Sequence, residues 1–129
     1  MFTHSKFLNA SLSLVVVALG ASAAAQTSSP QPNGELLFRQ RCAACHTVVP
    51  GRPSMTGPNL AGVAGRKAGT AAFAYSPALK ASNLTWNRAN LDRFLTAPAR
   101  MVPGTRMVIS VTNPAQRAAI IQYLSRPTR

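Results

Sequence analysis

Between Val49 and Gly69 the chain carries three prolines, Pro50, Pro53 and Pro58, and five glycines at positions 51, 57, 62, 65 and 69. Proline lacks an amide donor and glycine weakens helix and strand alike, so this stretch is loop. A structureless segment of about 20 residues is uncommon in a compact domain unless it wraps something. The rest of the pattern is helical. Glu35–Ala44 holds Leu36, Leu37 and Phe38, with an acid near the positive end of the helix dipole. Asn87–Ala97 places Leu91, Phe94 and Leu95 on one side, with Pro98 just past its end. A third helix is capped by Asn113, has Pro114 in its first turn, and carries Ala118, Ile121 and Leu124 as a stripe joined by Ile120. No alternating strand pattern appears. The expected class is small, all-α and loop-rich, with three main helices.

The first residues stand apart from that domain. Lys6 with His4 makes a weakly basic start, Leu8 to Gly20 is largely apolar, and Ala23, Ala24 and Ala25 are small residues suited to a signal peptidase. The continuous apolar run from Leu14 to Ala25 falls short of the roughly 18 residues that a spanning helix needs. Residues 1–25 therefore read as a cleaved secretory signal, 26–33 (QTSSPQPN) as a flexible lead-in, and 34–126 as the domain. Export places the mature chain in the periplasm, without stable membrane insertion. Of 129 residues, 104 would remain, with 13 of the 14 Lys and Arg and both Asp and Glu, a net charge of +11. So short a chain with so long a loop buries little apolar surface per ordered residue. A disulfide between its two cysteines, separated by two residues, would constrain almost nothing. Some other device must stabilise the domain, and it should be large, flat and apolar.

The residues that identify it are Cys42, Ala43, Ala44, Cys45 and His46. Two thiols three positions apart can each add to one vinyl group of a haem, and a histidine directly after the second lies under the iron as proximal ligand. A disulfide-exchange motif would want a βαβ context, which is missing. A zinc site needs four ligands, and the mature chain offers two Cys and one His. A buried structural pair would tend to oxidise in an exported chain. One covalently bound haem c per chain is the reading. Because His46 is the only histidine after the signal, bis-histidine ligation is excluded by counting. Met55, Met101 and Met107 are the remaining methionines. Met55 is only nine residues past His46, in the loop that runs along the proximal side, and a packing or surface role suits it better. Met107, in Pro103-Gly104-Thr105-Arg106-Met107, and Met101 before it both stay open as the distal ligand.

The ordered series beyond this motif resembles class I cytochrome c, nearest the mitochondrial cytochrome c and bacterial cytochrome c2 group. The matching residues are Gly34 and Phe38, CAACH, Gly57-Pro58-Asn59-Leu60 with Gly62, Gly65-Arg66-Lys67 and Gly69. They continue through Phe73-Ala74-Tyr75-Ser76, Leu84-Thr85-Trp86, Phe94-Leu95 before Pro98, PGTRM, and Ile120 with Tyr123-Leu124. The resemblance implies Met107 as distal ligand, with Met101 left to packing. It implies that the Pro58 carbonyl accepts the ring N–H of His46, that Arg66, Tyr75 and Trp86 surround the haem propionates, and that Thr105 is a further cofactor contact. Gly34, Phe38, Tyr123 and Leu124 match the crossing of the first and last helices. Three positions depart from the pattern: Phe94 stands for a Tyr, Ile109 for a Phe and Leu79 for an Asn, which would make the distal pocket more apolar.

With both axial positions filled, no site remains for substrate, and one-electron exchange is the expected function rather than enzyme chemistry. Arg41, Arg100 and Arg106 would form a basic rim around the haem edge, drawing a monomeric carrier to acidic surfaces on its redox donor and acceptor. Scattered bases and export argue against nucleic acid. The alternatives are an electron-accepting subunit held by a periplasmic dehydrogenase, which would show an apolar patch near the haem, and a ligand-binding or peroxidatic haem protein whose Met107 is labile.

Overall fold

A computed structural model describes residues 30–127, together with Met1. The signal reading and most of the lead-in lie outside the described residues. Five helices follow one another: α1 Gly34–Arg41, α2 Pro77–Ala81, α3 Arg88–Thr96, α4 Pro98–Met101 and α5 Pro114–Leu124. Among the described residues there is no strand, only one isolated antiparallel bridge between Lys67 and Thr85. The three longest helices are those the sequence predicts.

Each of these starts on an asparagine whose side chain accepts from an amide three residues on, filling a donor the helix leaves unpaired. Asn33 accepts from Leu36 at 3.1 Å, Asn87 from Asn90 at 2.8 Å and Asn113 from Gln116 at 3.1 Å. α1 stops earlier than expected. Its cap residue Cys42 has φ −121°, and the amides of both Cys42 and Ala43 converge on the Phe38 carbonyl, turning the chain out of the helix. Pro98 lies just past the end of α3, as expected, and also begins α4. A residue before proline is pushed to extended backbone, and Ala97 (φ −157°, ψ 81°) breaks α3 from α4, while proline suits the first helical turn. The same chemistry makes α2, with Ser76 as cap and Pro77 in first place.

Ile120, Ile121, Val111, Phe38 and Val63 are the most deeply buried apolar side chains, and the core lies where α5 crosses α1 and α3. The α5 stripe is turned slightly from the expected one: Arg117, Ala119, Ile120, Ile121 and Leu124 are buried, whereas Ala118 is half-buried. Phe38 packs its ring 5.5 Å from that of Tyr123 at the α1–α5 crossing, and Trp86 lies 4.9 Å from Phe94.

The Gly/Pro-rich loop is ordered by side chains rather than by repeats of backbone pairing. Asn59 is its hub. Its amide nitrogen donates to the carbonyls of Val49 at 2.8 Å and Arg52 at 2.7 Å, and its oxygen accepts from the Ala61 amide at 2.8 Å. Gly62, Gly65 and Gly69 take φ of 63°, 83° and 74°, the left-handed region that a side chain disfavours. These reversals return the chain to Trp86, whose carbonyl accepts from Gly65 and whose amide donates to Arg66, both at 2.9 Å.

Candidate cofactor site

The turn after α1 folds on the Cys42 carbonyl, which accepts from the amides of Cys45 at 3.0 Å and His46 at 2.9 Å. This presents two half-buried free thiols and an imidazole from five successive residues. Burial pushes the Cys42 thiol above its ordinary range; the charge of Arg41 opposes this and the neighbouring Cys45 reinforces it. Among the described residues no group of three His, Cys, Asp or Glu converges as ion ligands.

His46 is oriented by the loop. Its Nδ1 lies 2.8 Å from the Pro58 carbonyl oxygen. A carbonyl can only accept, so Nδ1 carries the proton and donates, and the lone pair of the ring is left on Nε2. Gly57 backs the ring: a Cβ there would lie 2.7 Å from Nδ1 and 2.9 Å from Nε2 of His46, closer than packed atoms approach. The Gly57 amide in turn donates to the Cys45 carbonyl at 2.8 Å, and Leu60 donates to Thr47 at the same distance, so loop and motif form one unit. Proline at 58 and glycine at 57 are thus used for different things, one for a carbonyl and one for the space it leaves.

Arg66 is half-buried, with Nη1 donating to the Ala61 carbonyl at 3.0 Å and Nη2 to Asn59 at 2.9 Å. It braces the loop, and both terminal nitrogens are engaged on backbone. Trp86 is 8% exposed and belongs to the core, next to Phe94. Tyr75 is half-buried with its ring edge-on to Phe73 at 5.2 Å.

Met107 lies on a separate stretch. Thr105 Oγ1 accepts from the Met107 amide at 3.4 Å, and the Arg106 guanidinium donates to the Ala74 carbonyl, clasping the Met107 segment to the loop that carries Tyr75. Among the described residues no hydrogen bond joins this segment to the His46 loop. The two methionines between which the sequence alone does not choose face different recesses. Met101 lines one of about 310 Å³ between α2 and Pro103, and Met107 one of about 220 Å³ beside Pro98 and Arg100. Both thioethers pack against the core from its edge. Ile109, expected to make the distal pocket apolar, is half-exposed, and Val108 is 82% exposed. Phe94 is buried and Leu79 partly so, so the apolar character at those two positions faces inward.

Two groups that shape the site carry no role in the sequence reading. Gly57 is recognised only as part of a matching motif, and Asn59 likewise, although an amide side chain following a proline in a long loop is a common device for satisfying stray backbone groups. Taken together, the thiols, the Nε2 lone pair and a thioether are a donor set that suits a tethered haem.

The cytochrome c family model matches residues 32–126. Cytochrome c2 of Rhodoblastus acidophilus is 50% identical over 88 residues, covering 67% of this chain and 82% of the relative. Cytochrome c2 of Rhodomicrobium vannielii is 41% identical over 116 residues, covering 88% and 92%. Among solved structures, cytochrome cH from Methylobacterium extorquens superimposes with a TM-score of 0.65 at 42% identity, over 70% of this chain and 92% of that one.

Proposed function

The chain belongs to the cytochrome c family and is a monohaem c-type electron carrier, and we propose that it works in the periplasm with His46 and Met107 as the axial ligands of its haem. The family binds haem c covalently and moves electrons between redox partners, and it is not catalytic. When bound, the group would supply a one-electron Fe(III)/Fe(II) couple, with Cys42, Cys45, His46 and Met107 as the residues that would hold it.

What carries the reading is the 2.8 Å contact between His46 Nδ1 and the Pro58 oxygen, which leaves Nε2 as the only basic position of the only histidine in the mature chain. The carbonyl holds the tautomer and orientation of the ring, and Gly57 keeps the space for it. Cys42 and Cys45 tether the group. Met107 supplies the thioether, a ligand that favours the reduced state, and Thr105 holds its amide. Tyr75, Trp86 and Arg66 would neighbour the propionates, Arg66 offering its charge, since its terminal nitrogens are engaged on Ala61 and Asn59. The domain spans 34–126, after a signal ending at Ala25 and a short lead-in. Among the described residues no helix is long and apolar enough to cross a membrane.

The Met107→Ala variant tests the axial assignment. Its ferric form should lose the long-wavelength thioether-to-iron absorption band. Its potential should fall by on the order of 0.1 V, out of the roughly 0.8 V that axial ligands command. An unchanged spectrum and potential would remove Met107 and bring Met101 forward.

Partners follow from charge. The chain has two acids, and both are paired: Glu35 with Arg39 at 2.6 Å and Asp92 with Arg117 at 2.7 Å. Among the described residues Arg41, Arg100 and Arg106 are exposed and have no carboxylate partner, which favours a positive field on the flanks of the site. We expect acidic docking surfaces on both donor and acceptor. The rate of electron exchange with an anionic redox protein should drop about tenfold or more from low to high ionic strength, measured by stopped flow. A flat salt dependence would remove the electrostatic docking. One observation favours a second reading, a subunit held by one dehydrogenase: Val108 and Ile109, directly after Met107, are 82% and 49% exposed. A persistent complex in gel filtration, in place of a monomer, would select it.

A further inference from the structure

Arg117 is the only charged side chain among the described residues that is buried, at 9% exposure. It has no part in the electron-carrier reading above. Its Nε donates to Asp92 Oδ1 at 2.7 Å and its Nη2 approaches Oδ2 at 3.4 Å. The other terminal nitrogen, Nη1, donates to the carbonyls of Val111 at 2.9 Å and Thr112 at 3.1 Å. Asp92 stands on α3 and Arg117 on α5, and the two carbonyls belong to the chain between Met107 and α5. One of the protein's two acids is therefore spent on neutralising a buried cation whose fork grips the Met107 segment from below. A buried guanidinium is tolerated only when its charge and its donors are all matched, and such pairs are best attested as devices that fix register.

The grip is close to Met107. Val111 is 2% exposed, and its amide also donates to the Leu95 carbonyl at 2.7 Å. From Val111 onwards the chain is held by α3 and α5 together. Only Val108, Ile109 and Ser110 lie between this anchor and Met107, and all three are exposed. Four residue steps span at most about 14 Å, so the anchor limits how far Met107 can travel. On its other side Met107 is held by the exposed Arg106 and by the long Thr105 contact. The buried anchor is downstream.

We infer that the Arg117–Asp92 pair is a positioning device for Met107, acting through the Val111 and Thr112 carbonyls to set how often the thioether leaves its place. The inference rests on Met107 being the distal ligand. A pair that merely stabilised the fold would weaken every element together. A positioning pair opens the 107–112 segment and leaves the α1–α5 crossing closed, because that crossing is made by Gly34, Phe38, Ala119 and Tyr123.

Imidazole binding to the ferric, haem-loaded protein reads this opening, since imidazole takes only the position that a methionine vacates. Arg117→Lys keeps the charge but not the fork, and Asp92→Asn keeps the fork but not the charge. If the lysine variant fails to fold, the asparagine variant carries the test. Apparent imidazole affinity should rise about tenfold in either, from the loss of one charge-assisted bond. Hydrogen exchange should accelerate at the Val111 amide while Phe38 and Ile120 keep their protection. Unchanged imidazole affinity, or equal loss of protection at Val111, Phe38 and Ile120, would overturn the inference. Met107→Ala is the control. If it too leaves imidazole affinity at the wild-type value, the ligand assignment fails, and the positioning role fails with it. A raised affinity in Met107→Ala alone sinks only the positioning role.

Discussion

Gly34→Ala should cost about 3 kcal/mol or more of folding stability, from a change of one methyl group. Helix propensity argues the other way, since alanine is about 1 kcal/mol better than glycine within a helix. The tertiary contact decides. A Cβ on Gly34 would fall inside the carbonyl group of Ala119, 2.7 Å from its carbon and closer still to its oxygen, and 3.1 Å from Tyr123 Cβ. The carbonyl is backbone of α5 and cannot rotate away, so α1 and α5 must separate, and the tilted Phe38–Tyr123 ring contact with them. Overpacking costs typically 1–3 kcal/mol and more where backbone must move, a large share of the roughly 5–15 kcal/mol that holds a small domain together. Urea unfolding of the haem-loaded protein measures it. An unchanged or raised midpoint would show that the helices can part without loss.

Gly57→Ala should have the largest effect on the site while leaving the fold standing. Gly57 does not take the left-handed region, so alanine meets no backbone strain there. The obstacle is the His46 ring, which a Cβ would meet at 2.7–2.9 Å on both nitrogens. The imidazole must tilt, and tilting breaks the bond from Nδ1 to Pro58 that sets its tautomer. Losing a partner of this kind typically lowers metal affinity or activity 10- to 100-fold. The expected result is a ferric protein with a substantial high-spin fraction at neutral pH and histidine dissociation at a milder acidity than in the wild type. A fully low-spin spectrum with the wild-type acid transition would show that the ring is held by other means. The two glycines separate cleanly: Gly34→Ala should lower the urea midpoint with the low-spin spectrum retained below it, and Gly57→Ala the reverse.

Much of this was legible along the chain because it depends on neighbours in sequence. CAACH brings two thiols and an imidazole together by spacing alone. The Asn113 cap and the Pro114 start are local rules, and that helix begins where those rules place it. The short helices α2 and α4 follow the same rule, with Pro77 and Pro98 at the first turn. Pro98 was legible as a break but equally as a beginning, since proline ends one helix and suits the start of the next. The rotation of the α5 stripe was hidden for a different reason. Arg117 falls on one face with Ile121 and Leu124 at helical spacing, and a charged residue on an apolar face is read as the edge of the stripe until its partner is found. That partner, Asp92, lies 25 residues away on another helix.

What the sequence determined by itself, then, is the chemistry: which atoms are available, two thiols, the His46 imidazole and a few thioethers, and which backbone turns carry them. Only the tertiary structure decided how those atoms are held. The proton on His46 is assigned by a carbonyl 12 residues away, the space for its ring by the missing side chain of Gly57, and the closeness of α1 to α5 by Gly34 against Ala119. The chain entering α5 is anchored by an ion pair between α3 and α5, through the Val111 and Thr112 carbonyls. The physical reason is that spacing fixes covalent reach, whereas hydrogen-bond partners, excluded volume and buried charge exist only between surfaces that meet after the chain has closed.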